Sequence, residues 1–157
     1  MNNHPALLYA ASSLKIDPSR LKLVEVSPLP AAELSQFGGH IIQKECYRNA
    51  FNVASSLMLD VVIGATVLGD FGLAIEHAWV AEPGDGGRHF DPTFQIHRMS
   101  AGGDVYLELY RIPFERYLDE MKSLNSGGAA IDVATLRRHP RTKHLFSRHQ
   151  QAAGAQA

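Results

Sequence analysis

Apolar and polar residues alternate with different periods along this chain, and each change of period marks an element. After Cys46, the residues Tyr47, Ala50, Phe51, Ala54, Leu57 and Met58 recur at helical spacing, which predicts an amphipathic helix over Cys46 to Met58. Asp60 to Val67 is rich in β-branched residues and predicts a buried strand. Leu73 to Glu82 and Arg88 to Asp91 predict two more strands, with "PGDGG" as the turn between them. "DVYLELYRI" predicts a fourth strand. Upstream, "HPALLYAASSL" predicts a short helix, "RLKLVEV" an alternating strand closed by "SPLP", and "AAELSQF" a helical turn ended by Gly38 and Gly39. Downstream, Pro113 opens a helix with Phe114, Tyr117, Leu118, Met121 and Leu124 on one face, stopped at "NSGG". "IDVATLRR" predicts a short last helix, and "QQAAGAQA" a frayed tail. Helix, strand, central helix, antiparallel strands and helix in that order predict an α+β fold. One domain is expected over residues 1–150, followed by a disordered tail over 151–157.

Composition adds little to this picture. The chain has 157 residues, 45% apolar and 20% charged, with a formal net charge of −1. That suits one domain with a real core and gives no global bias toward nucleic acid or membrane. No stretch approaches the ~20 apolar residues of a membrane span. The start lacks a basic region ahead of its short apolar run. A cytoplasmic protein is the expectation. The one cysteine excludes an intramolecular disulfide and a Cys-rich zinc site.

That cysteine, Cys46, opens the central helix. A thiol there feels the positive end of the helix dipole, and nearby free N–H groups favour a thiolate or an oxyanion. The competing reading is a small buried hydrophobe. A nucleophilic thiol works best with a histidine and a group to orient it. Side chains alternate along a strand, so His77 shares a face with Ile75, Trp79 and Ala81, and Glu76 points to the other. If Glu82 pairs with Arg88 across the turn, Trp79 lies opposite Asp91, and His77 is its diagonal neighbour on the same face. A slip of one residue would separate them. Otherwise His77 is a half-buried sheet histidine and Asp91 a turn residue.

"ECYRNAFNVA", "EHAWV" and "HFDPTF" together resemble the core of transglutaminase-like proteins, within the broader papain-like cysteine-enzyme fold. The resemblance spans roughly Gly38 to Phe94, and small bacterial and phage proteins carry a similar core. It implies a papain-like core in which the helix bearing the cysteine packs on a small antiparallel sheet. It also implies a covalent mechanism, with Cys46 as nucleophile, His77 as base and Asp91 as orienter. Gln43 would be a second oxyanion donor beside the Cys46 N–H, as a glutamine upstream of the cysteine is in papain-like enzymes. Trp79 and Asn49 are candidates to line the substrate cleft. The short interval from Cys46 to His77 implies a minimal core, without the acidic calcium cluster of animal transglutaminases. Family members include proteases, amidases, deamidases and cross-linking enzymes. A protein, peptide or small amide substrate and no cofactor are therefore expected.

Two other readings compete. Cys46, His77, His89 and Asp91 include zinc-ligating residue types, but no close ligand pair such as HExxH is present. "LRRHPRTKHLFSRHQ" is basic through Arg137, Arg138, Arg141, Lys143 and Arg148, a composition that can bind phosphates. With little aromatic interleaving, nucleic-acid binding is not the expectation. A non-catalytic binding module on the same fold is the alternative to an enzyme.

Overall fold

The computed structural model describes residues 4–98 and 103–147. Arg148 and the "QQAAGAQA" tail lie outside the described residues. The helices are α1 (Pro5–Leu14), α2 (Ala31–Leu34), α3 (Cys46–Leu57), α4 (Pro92–His97), α5 (Tyr117–Ser123) and α6 (Val133–Arg138). The strands are β1 (Lys22–Val24), β2 (Val26–Ser27), β3 (Asp60–Leu68), β4 (Leu73–Ala81), β5 (His89–Phe90) and β6 (Val105–Ile112). The fold is α+β, built on one six-stranded sheet in the order β1-β6-β3-β4-β5-β2.

Three expectations need correction. "RLKLVEV" is two strands rather than one, and they lie on opposite edges: β1 pairs antiparallel with β6, and β2 pairs parallel with β5. The sheet is therefore mixed rather than purely antiparallel. The strand expected over Arg88 to Asp91 shrinks to two residues, because Asp91 leaves the ladder to cap α4. The helix opened by Pro113 begins as a 3-10 turn over Phe114–Arg116 before α5. Leu118 points to solvent at 64% exposure, so the packed face is carried by Tyr117, Met121 and Leu124.

The edge placement has a geometric consequence. Val24 ends one edge strand and Val26 starts the other, and two consecutive trans peptides span at most ~7.6 Å between Cα atoms. The two edges are brought together at Glu25, and the sheet wraps toward a barrel. Its inner face packs Val62, Trp79, Ala81 and Tyr106, with Val24, Val26 and Phe94 against them. Its outer face carries Val61, Ile63, Ala65, Ala78 and Val80 into the main core, where α1 and α3 pack with Leu7, Ala10, Ala50 and Val53. Alternation along β3 and β4 sorts these two sets.

A bulge in β6 adjusts the inner face. Ile63 pairs with Tyr110 but Gly64 pairs with Glu108, so Leu109 is the extra residue. The parity of β6 flips there, and Arg111 joins Glu108 and Tyr106 on the inner side. Gly64 also lies opposite His77. A Cβ at Gly64 would stand 2.0 Å from the Leu107 carbonyl oxygen and 3.0 Å from the Trp79 ring. Only glycine lets the bulged backbone and the indole approach this closely.

Candidate functional site

The register across "PGDGG" places the central pair. Val80 pairs with Phe90 and Ala81 with His89, and the Glu82 N–H donates to the Arg88 carbonyl at 2.8 Å. This alignment puts Asp91 just past β5, diagonal to His77 on the inner face. The His77 Nε2 and Asp91 Oδ2 atoms are 2.7 Å apart, and both residues are buried. Asp91 is held from two further sides: its Oδ2 accepts from the Tyr106 hydroxyl at 2.8 Å, and its Oδ1 accepts from the Phe94 N–H at 3.1 Å. The second contact is a helix N-cap, followed by Pro92 in the first turn of α4.

Three aromatic rings enclose the imidazole. Phe94 stacks on it with centroids 4.2 Å apart, while Trp79 and Tyr106 stand at 6.2 and 6.4 Å. With Nε2 committed to Asp91, Nδ1 is the ring nitrogen left over, and the Cys46 side chain is near enough to act on the imidazole. Burial pulls the imidazole pKa down. The charge and hydrogen bond of Asp91, followed by the neighbouring Cys46 side chain, outweigh that effect and push it up to about 9. Burial and the adjacent Asp91 carboxylate push the Tyr106 phenol far up, so the hydroxyl stays a donor.

Cys46 is half-buried and sits in the first turn of α3. That helix has no side-chain cap at its N-terminus, so the first-turn N–H groups are not claimed by the capping residue. A tight turn delivers the chain to it, with the Glu45 N–H donating to the Ile42 carbonyl at 3.2 Å and Lys44 at φ 66. Asn49 fastens this turn. Its Oδ1 accepts from the Ile42 N–H at 3.0 Å, and its Nδ2 donates to the Ile42 carbonyl at 2.7 Å and to Thr93 Oγ1 at 3.1 Å. One side chain thus ties the approach to Cys46, helix α3 and the residue two after Asp91.

The remaining sequence candidates fall in different places. Gln43 is exposed in the turn before α3, and no hydrogen bond holds its side chain among the described residues. Asn49 has 0% exposure, so it is an internal tie rather than a wall of an open cleft. Trp79 is equally buried, and its indole N–H donates to His89 Nδ1 at 3.0 Å. Glu76 faces outward and accepts from Arg137 at 3.0 Å.

His89 belongs to a separate polar group. Its Nε2 lies 3.0 Å from Arg111 and 3.7 Å from Glu108, and burial and then Arg111 lower its pKa. Among the described residues, no three His, Cys, Asp or Glu side chains gather as a metal site. In the basic segment, Arg137 and Arg141 are engaged by Glu76 and Glu120. No helix among the described residues is long and apolar enough to cross a membrane.

Sequence reasoning missed Tyr106, Phe94 and Thr93. For the last two the signal was present: Asp-Pro-Thr-Phe is an N-cap, a first-turn proline and a helix start. Tyr106 gave no such signal, because the bulge decides which way β6 faces. No family model, no curated protein and no solved structure matches the chain.

Proposed function

We propose that this chain is a cysteine-dependent acyl-transfer enzyme of the transglutaminase-like, papain-like kind. Cys46 is the nucleophile, His77 the proton carrier and Asp91 its orienter. The observation that carries the reading is the buried His77–Asp91 contact at 2.7 Å, with the Cys46 side chain acting on the same imidazole. An inert buried cysteine needs no such partner. A merely structural histidine needs no carboxylate that is itself held by a tyrosine and a backbone N–H.

In this mechanism Cys46 and His77 rest as a thiolate–imidazolium pair, with the thiol proton already on His77, and the sulfur attacks an amide carbonyl carbon of a protein, peptide or small amide. The oxyanion forms beside the uncapped first turn of α3, where the Cys46 N–H is the nearest donor and Gln43 a candidate second. The C–N bond then breaks as the proton moves from Nδ1 to the leaving amine, and a thioester remains on Cys46. Water releases the acid, or an amine takes the acyl group; either returns its proton through His77 and restores the sulfur. Because Asp91 holds His77 protonated up to about pH 9, the proton needed by the leaving amine is in place at neutral pH. Acylation is expected to fall as pH rises through about 9.

Iodoacetamide labelling followed by mass spectrometry tests the reading. Cys46 in the native chain should be alkylated faster than a free thiol at neutral pH, and Cys46→Ala should abolish turnover of a thioester or amide panel without altering the melting curve. Labelling slower than free thiol, or turnover surviving in Cys46→Ala, defeats it.

A further inference from the structure

The inner face of the sheet holds buried ionisable groups that the chemistry at Cys46 does not use. His89 stands on β5 opposite Ala81, which makes Trp79 its diagonal neighbour on the same face. β2 places Val26 beside it. From β6 it meets Arg111 and Glu108, and Asp60 at the start of β3 lies 3.7 Å from the same Arg111. His89 and Asp60 are both buried.

His89 is short of acceptors. Indole and guanidinium groups can only donate, and a neutral imidazole carries one proton and accepts at its other nitrogen. The Trp79 indole nitrogen lies 3.0 Å from Nδ1, and Arg111 Nη2 lies 3.0 Å from Nε2. The Glu108 carboxylate, 3.7 Å from Nε2, decides between the two tautomers. A proton on Nε2 faces that carboxylate, whereas a proton on Nδ1 would face the indole N–H. Nδ1 therefore accepts from Trp79. A second proton would set two N–H groups against each other across 3.0 Å, in a site where the buried Arg111 Nε already lacks a partner among the described residues. The indole held by this bond is fully buried. It lies edge-on to Tyr106 with centroids 5.2 Å apart, and 6.2 Å from the His77 ring.

We propose that His89 is an acid-sensitive latch: uptake of a second proton releases the Trp79 indole and loosens the aromatic cluster around His77. The groups facing His89 set the direction. Burial acts first, then Arg111, with Lys22 of β1 adding to them; together they outweigh Glu108 and hold the His89 pKa below its ordinary 6.5. The latch is therefore closed at neutral pH and opens only as pH falls below 6.5. His77 does not share this titration, because Asp91 keeps its pKa up at about 9 and the ring already holds its proton there. The latch does not depend on the chemistry proposed for Cys46.

Trp79 is the only tryptophan in the chain, so its signal reads the latch directly. Indole emission and near-UV circular dichroism should change together in a one-proton step between pH 7 and pH 4, while far-UV circular dichroism holds. NMR titration of the His89 ring proton should give the same midpoint. His89→Gln keeps an amide oxygen for the indole N–H and cannot take the proton, so the step should vanish. Glu108→Gln removes a carboxylate that favours the charged ring, and should move the midpoint down by about one pH unit or more. Cys46→Ala should titrate like the native chain, so failure of the acyl-transfer reading leaves the latch standing. The proposal fails if the tryptophan signal is flat over this range, if its midpoint differs from that of His89, or if the step is lost in Cys46→Ala. It also fails if the step survives in His89→Gln, which would assign it to Asp60, the buried carboxylate whose pKa burial raises.

Discussion

Asp91→Asn is the most informative single substitution, because it leaves the shape of the site intact and removes the charge. Asparagine still caps α4 through its amide oxygen and keeps a partner for Tyr106. What changes is the field on His77. In the native chain its pKa rises from 6.5 to about 9, so protonation stabilises the fold. That contribution is fully present below pH 6.5 and is lost as pH rises through about 9. At about 1.4 kcal/mol per pH unit, it amounts to about 3 kcal/mol. Without the carboxylate, burial dominates and the imidazole pKa drops below its ordinary value. The sign then reverses: the variant loses stability as pH falls through the acid range and gains none from protonation. Urea denaturation of both proteins from pH 5 to pH 10 reads this directly. The difference in unfolding free energy should be largest at the acid end, pH 5, and shrink toward pH 10. NMR titration of the His77 ring proton gives the same answer site by site. Parallel stability curves for the two proteins would refute the assignment of Asp91 as the group that holds the His77 proton.

Three further outcomes follow from the packing. Gly64→Ala places a methyl 2.0 Å from the Leu107 carbonyl, so the bulge must shift; thermal unfolding should show a loss of about 3 kcal/mol. Asn49→Ala leaves the Ile42 groups and the Thr93 hydroxyl without their partner, and denaturation should show a loss of about 2–3 kcal/mol, with hydrogen exchange rising in the turn before Cys46. Tyr106→Phe removes a bond to an ionised carboxylate and should cost about 2 kcal/mol. Most of that cost should disappear in the Asp91→Asn background, as a double-mutant cycle would show.

The parts of the site that rest on local rules were legible in the sequence. The period of "YRNAFNVASSLM" marks α3, and the "PGDGG" turn fixes its own hairpin register. Strand parity then puts His77 and Asp91 on one face. What was not legible depends on residues remote in sequence. Alternation in "RLKLVEV" reports a half-buried strand but not which edge it joins, and here the two halves join opposite edges. The direction of Tyr106 follows from a bulge at Leu109 that pairing with β3 imposes. Asn49 reads as a polar residue on a helix surface, and only the fold shows that α4 and the turn before α3 cover that surface. Asp91 continues the alternation of a strand, but its Oδ1 caps α4 through the Phe94 N–H, and that local bond takes it out of the ladder.

The split of the N-terminal strands bears on how the chain comes to be closed. Leaving the ribosome, Val26 must wait for His89 to emerge before β2 has a partner, and Lys22 must wait for Glu108 before β1 does. The first strands made are therefore among the last to be satisfied. Until then β3 and β4 can form only an open hairpin with two live edges. Glu25 is the hinge of that late event: β1 and β2 seal one edge each, with a single residue between them. Trimming the chain back past Ser27 would thus not merely shorten the sheet; it would reopen both sides at once.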